Sequence, residues 1–264
     1  MKYVLVTGGR GGMGKAVVDA LAAAGYFVFA LDKSAPFQDD ALVEHLQVDV
    51  TDEGSVKEAF NQIKSKTSQL FAILHFAGIY ALDSLLEMDE TALKRVFDVN
   101  LLGCARINRI FAPLLQEGSR ILITSSELAP LDPLPFTGVY AVAKAALDKY
   151  AYSLRMEVQL LGVQVATIRP GAVDTGMIGV STDALEKFCH NTKLYACNAT
   201  RFKRIVDGVE ARKIPAEKIG KLTVKILSKK RMKYVYSINR NPLLLLLNAL
   251  PKRMQTGIIK RILR

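Results

Sequence analysis

Residues 2–14 constrain this chain more than any other stretch. Tyr3-Val4-Leu5-Val6 is an apolar, β-prone run, and Thr7-Gly8-Gly9-Arg10-Gly11-Gly12-Met13-Gly14 follows without a break. The run from Lys15 to Ala24 then reads as a helix. Strand, glycine turn and helix in that order form the setting in which such glycines bind a dinucleotide. Gly8 permits a tight turn, and Gly14 lets the helix pack closely on the strand. Gly12, lacking a Cβ, lets the backbone approach a pyrophosphate. Free N–H groups at the helix start, aided by its dipole, would face the phosphates. Arg10 and Met13 belong to the same loop.

Further along, strands and helices alternate. Tyr26 to Leu31 predicts a second strand ending in Asp32, nearly the distance past the glycines expected of a ribose-binding carboxylate, about 20 residues. Short strands follow at Leu46 to Val48, Leu70 to Phe76, Arg120 to Thr124 and Val163 to Ile168. They end respectively in Asp49-Val50, Ala77-Gly78, Ser125-Ser126-Glu127 and Arg169-Pro170-Gly171. Helices are expected from Thr51 to about Lys66, from about Glu90 to Gln116 with Asn100 near its middle, and from about Gly138 to Leu161. This pace implies one α/β domain over residues 1–264, a doubly wound parallel sheet of about seven strands with helices on both faces. Parallel strands bring their C-terminal ends to one edge, so the polar residues at those ends converge there. From Gly176 to about Arg212 apolar residues recur with no long clean period, including Met177, Ile178, Leu185, Phe188, Leu194, Tyr195 and Phe202. This segment is expected to cover the strand ends as a substrate lid. A helix near Pro215 to Leu227 and a strand at Tyr234-Val-Tyr236 follow.

The 264 residues suit one such domain. The formal net charge of +11 points toward an anionic partner. Basic and aromatic residues do not interleave as in a nucleic-acid-binding module, so no nucleic-acid partner is expected. Cys104, Cys189 and Cys197 lie far apart and lack metal-ligand spacing, so no metal is expected and a cytoplasmic setting is. No signal peptide and no run of about 18 apolar residues is seen, which leaves no expected membrane span.

Tyr140-Ala-Val-Ala-Lys144 carries chemistry. Residues four apart share a helix face, so phenol and ammonium point the same way. A nearby positive charge would lower the tyrosine pKa and make Tyr140 a usable general acid/base.

With these stretches in hand, the chain resembles the short-chain dehydrogenase/reductase family over nearly all of residues 1–240. The carriers are Thr7-Gly8-x-x-x-Gly12-x-Gly14, Asp49-Val50, Asn100, the Ser-Ser pair before Tyr140-x-x-x-Lys144, and Pro170-Gly171-x-x-x-Thr175. The resemblance implies a Rossmann fold and a catalytic set of Asn100, Ser126, Tyr140 and Lys144. Ser126 would hydrogen-bond the substrate oxygen and Tyr140 would exchange a proton with it. Lys144 would hold the nicotinamide ribose, and Asn100 a water in the proton path. Asp49 and Val50 would contact adenine, and Val173 and Thr175 the carboxamide. Ala77, Gly78, Pro170 and Gly171 complete the expected cofactor site. Asp32 can accept from a ribose 2′-hydroxyl and would repel a 2′-phosphate, so NAD(H) is the expected cofactor. Arg10 and Lys33 leave NADP(H) open as the second.

The chain departs from the family pattern twice. His75-Phe76-Ala77-Gly78 stands where Asn-Asn-Ala-Gly is usual, so the bracing there must differ, and His75 is read as structural. Ser126 lies fourteen residues before Tyr140 rather than thirteen, which keeps Ser125 as an alternative serine. Glu127 reads as a turn or capping residue. The Ser-Ser-Glu start and the basic, leucine-rich tail are similar to bacterial and retinol- or hydroxysteroid-dehydrogenase-like branches. The expected activity is interconversion of an apolar alcohol and its carbonyl by a homodimer or homotetramer. Two alternatives share parts of the pattern, a dinucleotide sensor without catalysis and a sugar-nucleotide epimerase. The tail, residues 241–264, sets leucines beside lysines and arginines. That pattern suits either peripheral contact with an anionic membrane or packing on the domain or a second subunit.

Overall fold

The computed structural model describes residues 1–34, 40–209 and 213–264; the side chains of Met177 and Ile178, assigned above to the lid, lie outside the described residues, as do residues 210–212. Nine strands and ten α-helices are described. They are β1 (Tyr3–Thr7), α1 (Gly12–Ala23), β2 (Phe27–Asp32), β3 (Val43–Gln47), α2 (Glu53–Lys66), β4 (Ala72–His75), α3 (Glu90–Phe97), α4 (Gly103–Phe111), β5 (Arg120–Thr124) and α5 (Gly138–Val158). There follow β6 (Gln164–Pro170), β7 (Val173–Asp174), α6 (Gly176–Asn191), α7 (Ala196–Val209), β8 (Ile214–Pro215), α8 (Glu217–Leu227), β9 (Val235–Ile238), α9 (Pro242–Ala249) and α10 (Lys252–Leu263). A seven-stranded sheet runs in the order β3-β2-β1-β4-β5-β6-β9, every neighbouring pair parallel. The expected fold class is the one observed.

Local chemistry sets the element ends. Asp52 caps α2 by accepting from the Gly54 N–H, with Glu53 in the first turn and Lys64 and Lys66 in the last, all favourable to the helix dipole. Asp89 caps α3 through the Ala92 N–H at 3.1 Å. Between α3 and α4 the helix widens into one π turn, Asp98–Leu102, which carries Asn100. Such turns are rare and cluster at functional positions.

The sheet is buried on both faces. One core layer packs Val17, Val18 and Leu21 of α1 and Ile219 and Ile226 of α8 over Val4, Val6, Val28 and Leu74. The other packs Val56 and Ile63 of α2 and Ile107 and Phe111 of α4 over Leu5, Phe29 and Ile73. Phe29 and Phe111 are the largest fully buried side chains; truncating either to Ala should cost about 3–5 kcal/mol. The strand order reverses between β1 and β4, whose C-terminal ends carry Thr7 and His75. In such sheets the ligand crevice opens at this switch point.

The segment over the strand ends has more structure than its irregular pattern promised. It forms two helices, α6 and α7, and a small two-stranded sheet of β7 and β8. Leu185, Phe188, Ala199 and Phe202 pack with Leu82 and Leu263. Phe136 lies at their centre, its ring 4.5 Å from Phe188, 5.3 Å from Tyr195 and 5.4 Å from Phe202. Most of the expected lid side chains therefore pack onto one another, while Leu194 is exposed.

Candidate active site

The glycine loop is shaped by contacts a Cβ would destroy. Gly8 has φ +68°, and a Cβ on it would sit 2.6 Å from the Ala77 nitrogen. On Gly14 it would sit 1.9 Å from the Gly8 carbonyl oxygen, which is the close helix–loop approach the sequence implied. The missing Cβ of Gly12 makes room for Thr175, whose Cβ is 2.5 Å from where it would lie. That contact joins the first loop to the segment after β6. Helix α1 opens on Gly11 without a capping side chain and without an acid in its first turn. First-turn N–H groups left this way suit an anion such as a pyrophosphate. Met13 is half-buried and packs on the core layer that holds Val173.

Asp32, at the end of β2, holds the loop from the other side. One carboxylate oxygen accepts from the Arg10 N–H and the other from the Ser34 N–H, both at 3.0 Å. Asp49 accepts from the Thr51 N–H and hydroxyl and pairs with Lys33 at 2.6 Å. Burial would raise its pKa, but these donors outweigh it and hold the carboxyl at about 2. The Val50 carbonyl accepts from Arg106, and a Cβ on Gly103 would meet the Val50 side chain at 2.8 Å. The Asp49-Val50 turn is thus fixed from three sides.

At the end of β4, Phe76 and Ala77 donate their N–H groups to the Thr7 carbonyl and hydroxyl at 3.0 and 3.3 Å. Asn100 clamps the next residues: its amide donates to the Ile79 carbonyl at 2.9 Å and accepts from the Ile79 N–H at 3.1 Å. A Cβ on Gly78 would lie 2.8 Å from the Asn100 oxygen and 3.6 Å from Lys144 Nζ. His75 is buried. Its Nε2 bonds Asn108 Oδ1 at 2.8 Å, and Asn108 donates on to the Tyr150 hydroxyl at 3.1 Å. Burial brings the imidazole pKa down to about 4, with Asn108 opposing, so the ring is neutral at pH 7. This His75–Asn108 pair braces the end of β4 against α4. Only Asn108 was missed; no spacing signal links it to His75 across 33 positions.

Ser125 and Ser126 separate cleanly. The Ser125 hydroxyl faces the backbone of α5, 3.4 Å from the Lys144 carbonyl. The Ser126 hydroxyl accepts from the Leu128 N–H at 3.1 Å and interacts with the Tyr140 phenol. Tyr140 is half-buried, its ring 4.9 Å from that of Tyr80. Burial pushes its pKa up to about 12, with Ser126 pulling the other way. The sequence implied the opposite shift. Lys144 Nζ is 5.7 Å from the Tyr140 ring, and desolvation of the phenol prevails. Lys144 is itself buried and donates to the Thr124 carbonyl at 3.1 Å. Burial lowers its pKa to about 8.

Beyond β6, the Gly171 N–H donates to the Ile238 carbonyl at 2.9 Å, and a Cβ there would lie 1.9 Å from the Asn239 oxygen. The Pro170 carbonyl accepts from the Glu127 N–H at 2.9 Å. Glu127 in turn accepts from the Asn241 N–H at 2.7 Å, so it caps the tail. Val173 is buried against Ile214 across the small sheet. All of these residues stand along the C-terminal edge of one parallel sheet.

Comparison with known proteins agrees with this arrangement. The family described as short chain dehydrogenase matches residues 2–186. Estradiol 17-beta-dehydrogenase 2 of Rattus norvegicus is 31% identical over 200 residues, covering 70% of this chain and 52% of that protein. NADPH-dependent 1-acyldihydroxyacetone phosphate reductase of Schizosaccharomyces pombe is 31% identical over 192 residues, covering 69% and 65%. The chain thus spans about half to two-thirds of the length of these curated relatives. A short chain dehydrogenase family protein of Francisella tularensis superposes with a TM-score of 0.75 at 24% identity, covering 90% of this chain and 97% of that one. The glycine cradle, the Ser126–Tyr140–Lys144 grouping and the seven-stranded parallel sheet accompany a family match over most of the chain, and this protein belongs to the short-chain dehydrogenase/reductase family of oxidoreductases, which use a nicotinamide dinucleotide.

Proposed function

We propose that this chain interconverts an apolar alcohol and its carbonyl compound, with Tyr140 as proton donor and acceptor. The observation that carries the reading is the convergence of the Ser126 hydroxyl, the Tyr140 phenol and the Lys144 ammonium beside the glycine cradle. Ser126 orients the substrate oxygen by a hydrogen bond. Tyr140 gives that oxygen a proton as the carbonyl becomes an alcohol and takes it back in reverse. With its pKa near 12 the phenol is protonated at pH 7, the form a reduction needs. Lys144 supplies fixed positive charge in the desolvated wall behind Tyr140, and Asn100 holds the Gly78-Ile79 backbone that borders it.

The cradle fits a dinucleotide: Gly8, Arg10, Gly12, Met13 and Gly14 would hold the pyrophosphate. Asp32, Asp49 and Val50 would hold the adenosine half. Ala77, Gly78, Asn100, Tyr140, Lys144, Pro170, Gly171, Val173 and Thr175 would hold the nicotinamide half. When bound, the nicotinamide supplies or accepts the hydride. The carboxylate of Asp32 favours NAD(H), although the similar fission-yeast reductase is named NADPH-dependent. An apolar substrate is supported by the ring of Tyr80 against Tyr140. Relatives named for estradiol and for 1-acyldihydroxyacetone phosphate support it further. Leu102 of the π turn and Val142, Tyr152 and Met156 of α5 are about half exposed. This face suits a second copy, which sedimentation velocity would detect.

The test is Tyr140→Phe, which keeps the ring and removes the proton. Turnover of steroid- or long-chain carbonyls, followed by nicotinamide absorbance, should fall by about 100-fold or more with the fold intact. Near wild-type turnover would remove Tyr140 from the mechanism. Small hydrophilic alcohols reacting far better than apolar ones would remove the substrate class.

A further inference from the structure

We propose that the outer face of α9 and α10 docks this protein on an anionic phospholipid bilayer, beside the mouth of the active site. Helix α10 shows an inward stripe and an outward apolar one. Gln255, Ile259 and Leu263 recur every four residues and face the domain: Gln255 and Leu263 are buried, and the Asn198 amide donates to the Leu263 carbonyl at 2.6 Å. Met254, Ile258 and Ile262 form the neighbouring stripe, one position earlier each time. They face outward, with Met254 53% and Ile262 51% exposed. The apolar arc of the helix therefore extends past the part that the domain covers. Helix α9 adds Leu243 and Leu246, exposed at 62% and 66%, and buries no residue.

The charge around this surface has one sign. Residues 239–264 contain Arg240, Lys252, Arg253, Lys260, Arg261 and Arg264 and no acidic residue. Among the described residues, Lys252 pairs with Asp132, whereas Arg253, Lys260, Arg261 and Arg264 make no ion pair. Along α10, Arg261 borders the exposed stripe, while Arg253, Lys260 and the C-cap residue Arg264 are exposed on the polar side of the helix beyond it. An exposed apolar stripe on a helix whose remaining exposed charges are all cationic matches a surface with acyl chains below anionic headgroups. A second protein would have to supply both an apolar groove and a ring of carboxylates. No helix among the described residues is long and apolar enough to cross a membrane, so the contact is at the surface.

The tail is also fixed to the site. Glu127, next to Ser126, accepts from the Asn241 N–H. The Asp132 N–H donates to Asn248 at 2.6 Å, and Asp132 pairs with Lys252. Leu263 packs with Leu82, Phe188 and Phe202 in the cluster over the strand ends. A bilayer under α9 and α10 would therefore lie next to the apolar approach to Tyr140.

Vesicle binding tests this without turnover, so its result stands apart from that of the reaction proposed above. The full chain is mixed with phosphatidylcholine vesicles, with or without phosphatidylserine, and sedimented. Binding is expected with phosphatidylserine at low salt and should fall as salt rises. Two variants bracket the face: Met254→Gln, Ile258→Gln and Ile262→Gln combined, and Lys260→Glu with Arg261→Glu. Each should lower partitioning by about tenfold or more at an unchanged melting temperature. The proposal is overturned if the wild-type chain stays in the supernatant with anionic vesicles at low salt. Variants that bind like wild type would overturn it as well. Concentration-dependent dimerisation that the apolar variant abolishes, without vesicle binding, would assign the face to a second copy instead.

Discussion

The Lys144 ammonium donates to the main-chain carbonyl of Thr124 across 3.1 Å, inside a wall that water does not reach. Helix α5 brings the lysine to the end of β5, one residue before the serine pair. Such a charge is costly to bury, and the pKa of about 8 is the sign of that cost.

Lys144→Met should therefore make the protein more stable and inactive. The folded pKa lies below the unfolded 10.5. The penalty is fully present below pH 8 and fades as pH rises toward 10.5. It amounts to about 3 kcal/mol, against about 1–2 kcal/mol for leaving the Thr124 carbonyl without its donor. Thermal unfolding at pH 7 should show a net gain of about 1 kcal/mol, shrinking above pH 9 or so. Turnover should drop by about 100-fold or more. A lower melting temperature at pH 7 would refute the account.

His75 should make stability depend on pH in the acid range. Its folded pKa of about 4 lies below the unfolded 6.5, so the unfolded chain binds the extra proton between them. Stability from the neutral His75–Asn108 pair is complete above pH 6.5 and is lost as pH falls toward 4. The loss is on the order of 3 kcal/mol. Denaturant midpoints at pH 7.5 and 4.5 measure it. His75→Asn should be less stable at pH 7.5 and should flatten the difference between the two pH values. An equal drop in variant and wild type would place the effect elsewhere.

What was legible in the sequence was local. Gly8 and Gly14 stand six residues apart and meet within one turn, and Tyr140 and Lys144 are joined by a helical period. The strand ends could be ordered because each apolar run stops at a polar residue or a glycine-bearing turn. Three features were hidden for a common reason. The π turn around Asn100 inserts one residue between α3 and α4, and no residue type in the sequence marks it. The His75–Asn108 bond joins β4 to α4, and the Glu127–Asn241 bond joins positions 114 apart. Such partners are chosen by the packed fold. The rise of the Tyr140 pKa was hidden likewise, because burial depends on side chains from β4, β5 and the loop after β4. Helices α6 and α7 were missed because their inward residues answer to one another and to Phe136, so neither helix shows a single clean stripe.

Glycines should sort by what surrounds them. A Cβ on Gly14 would fall 1.9 Å from a backbone oxygen that cannot move without opening the loop. Gly14→Ala should lower stability by several kcal/mol and abolish dinucleotide binding, measured by titration calorimetry. Gly257 lies inside α10 with nothing within 4 Å of its Cβ position and an ordinary φ. Gly257→Ala should raise stability by about 0.5–1 kcal/mol through helix propensity alone. A stabilising Gly14→Ala would show that the loop is looser than its contacts imply.

Asp32 should set the cofactor. Its two oxygens are held by the Arg10 and Ser34 N–H groups, which fixes the carboxylate at the end of β2. A ribose 2′-hydroxyl can still donate to it, since each oxygen has a second lone pair. A 2′-phosphate at the same place would bring like charges together. At about 4 Å and an effective dielectric near 20, one such pair costs about 4 kcal/mol. Arg10 and Lys33 lie on either side and reduce that figure, although Lys33 is engaged by Asp49 at 2.6 Å. The wild-type chain should therefore give a higher kcat/KM with NAD(H) than with NADP(H). Asp32→Asn removes the charge and keeps an acceptor for the loop. It should raise kcat/KM for NADP(H) by about tenfold or more, a gain of about 1.4 kcal/mol, and change NAD(H) use less. If the wild type already prefers NADP(H), or if Asp32→Asn leaves the ratio unchanged, the carboxylate serves the loop alone and Arg10 becomes the residue that reads the cofactor.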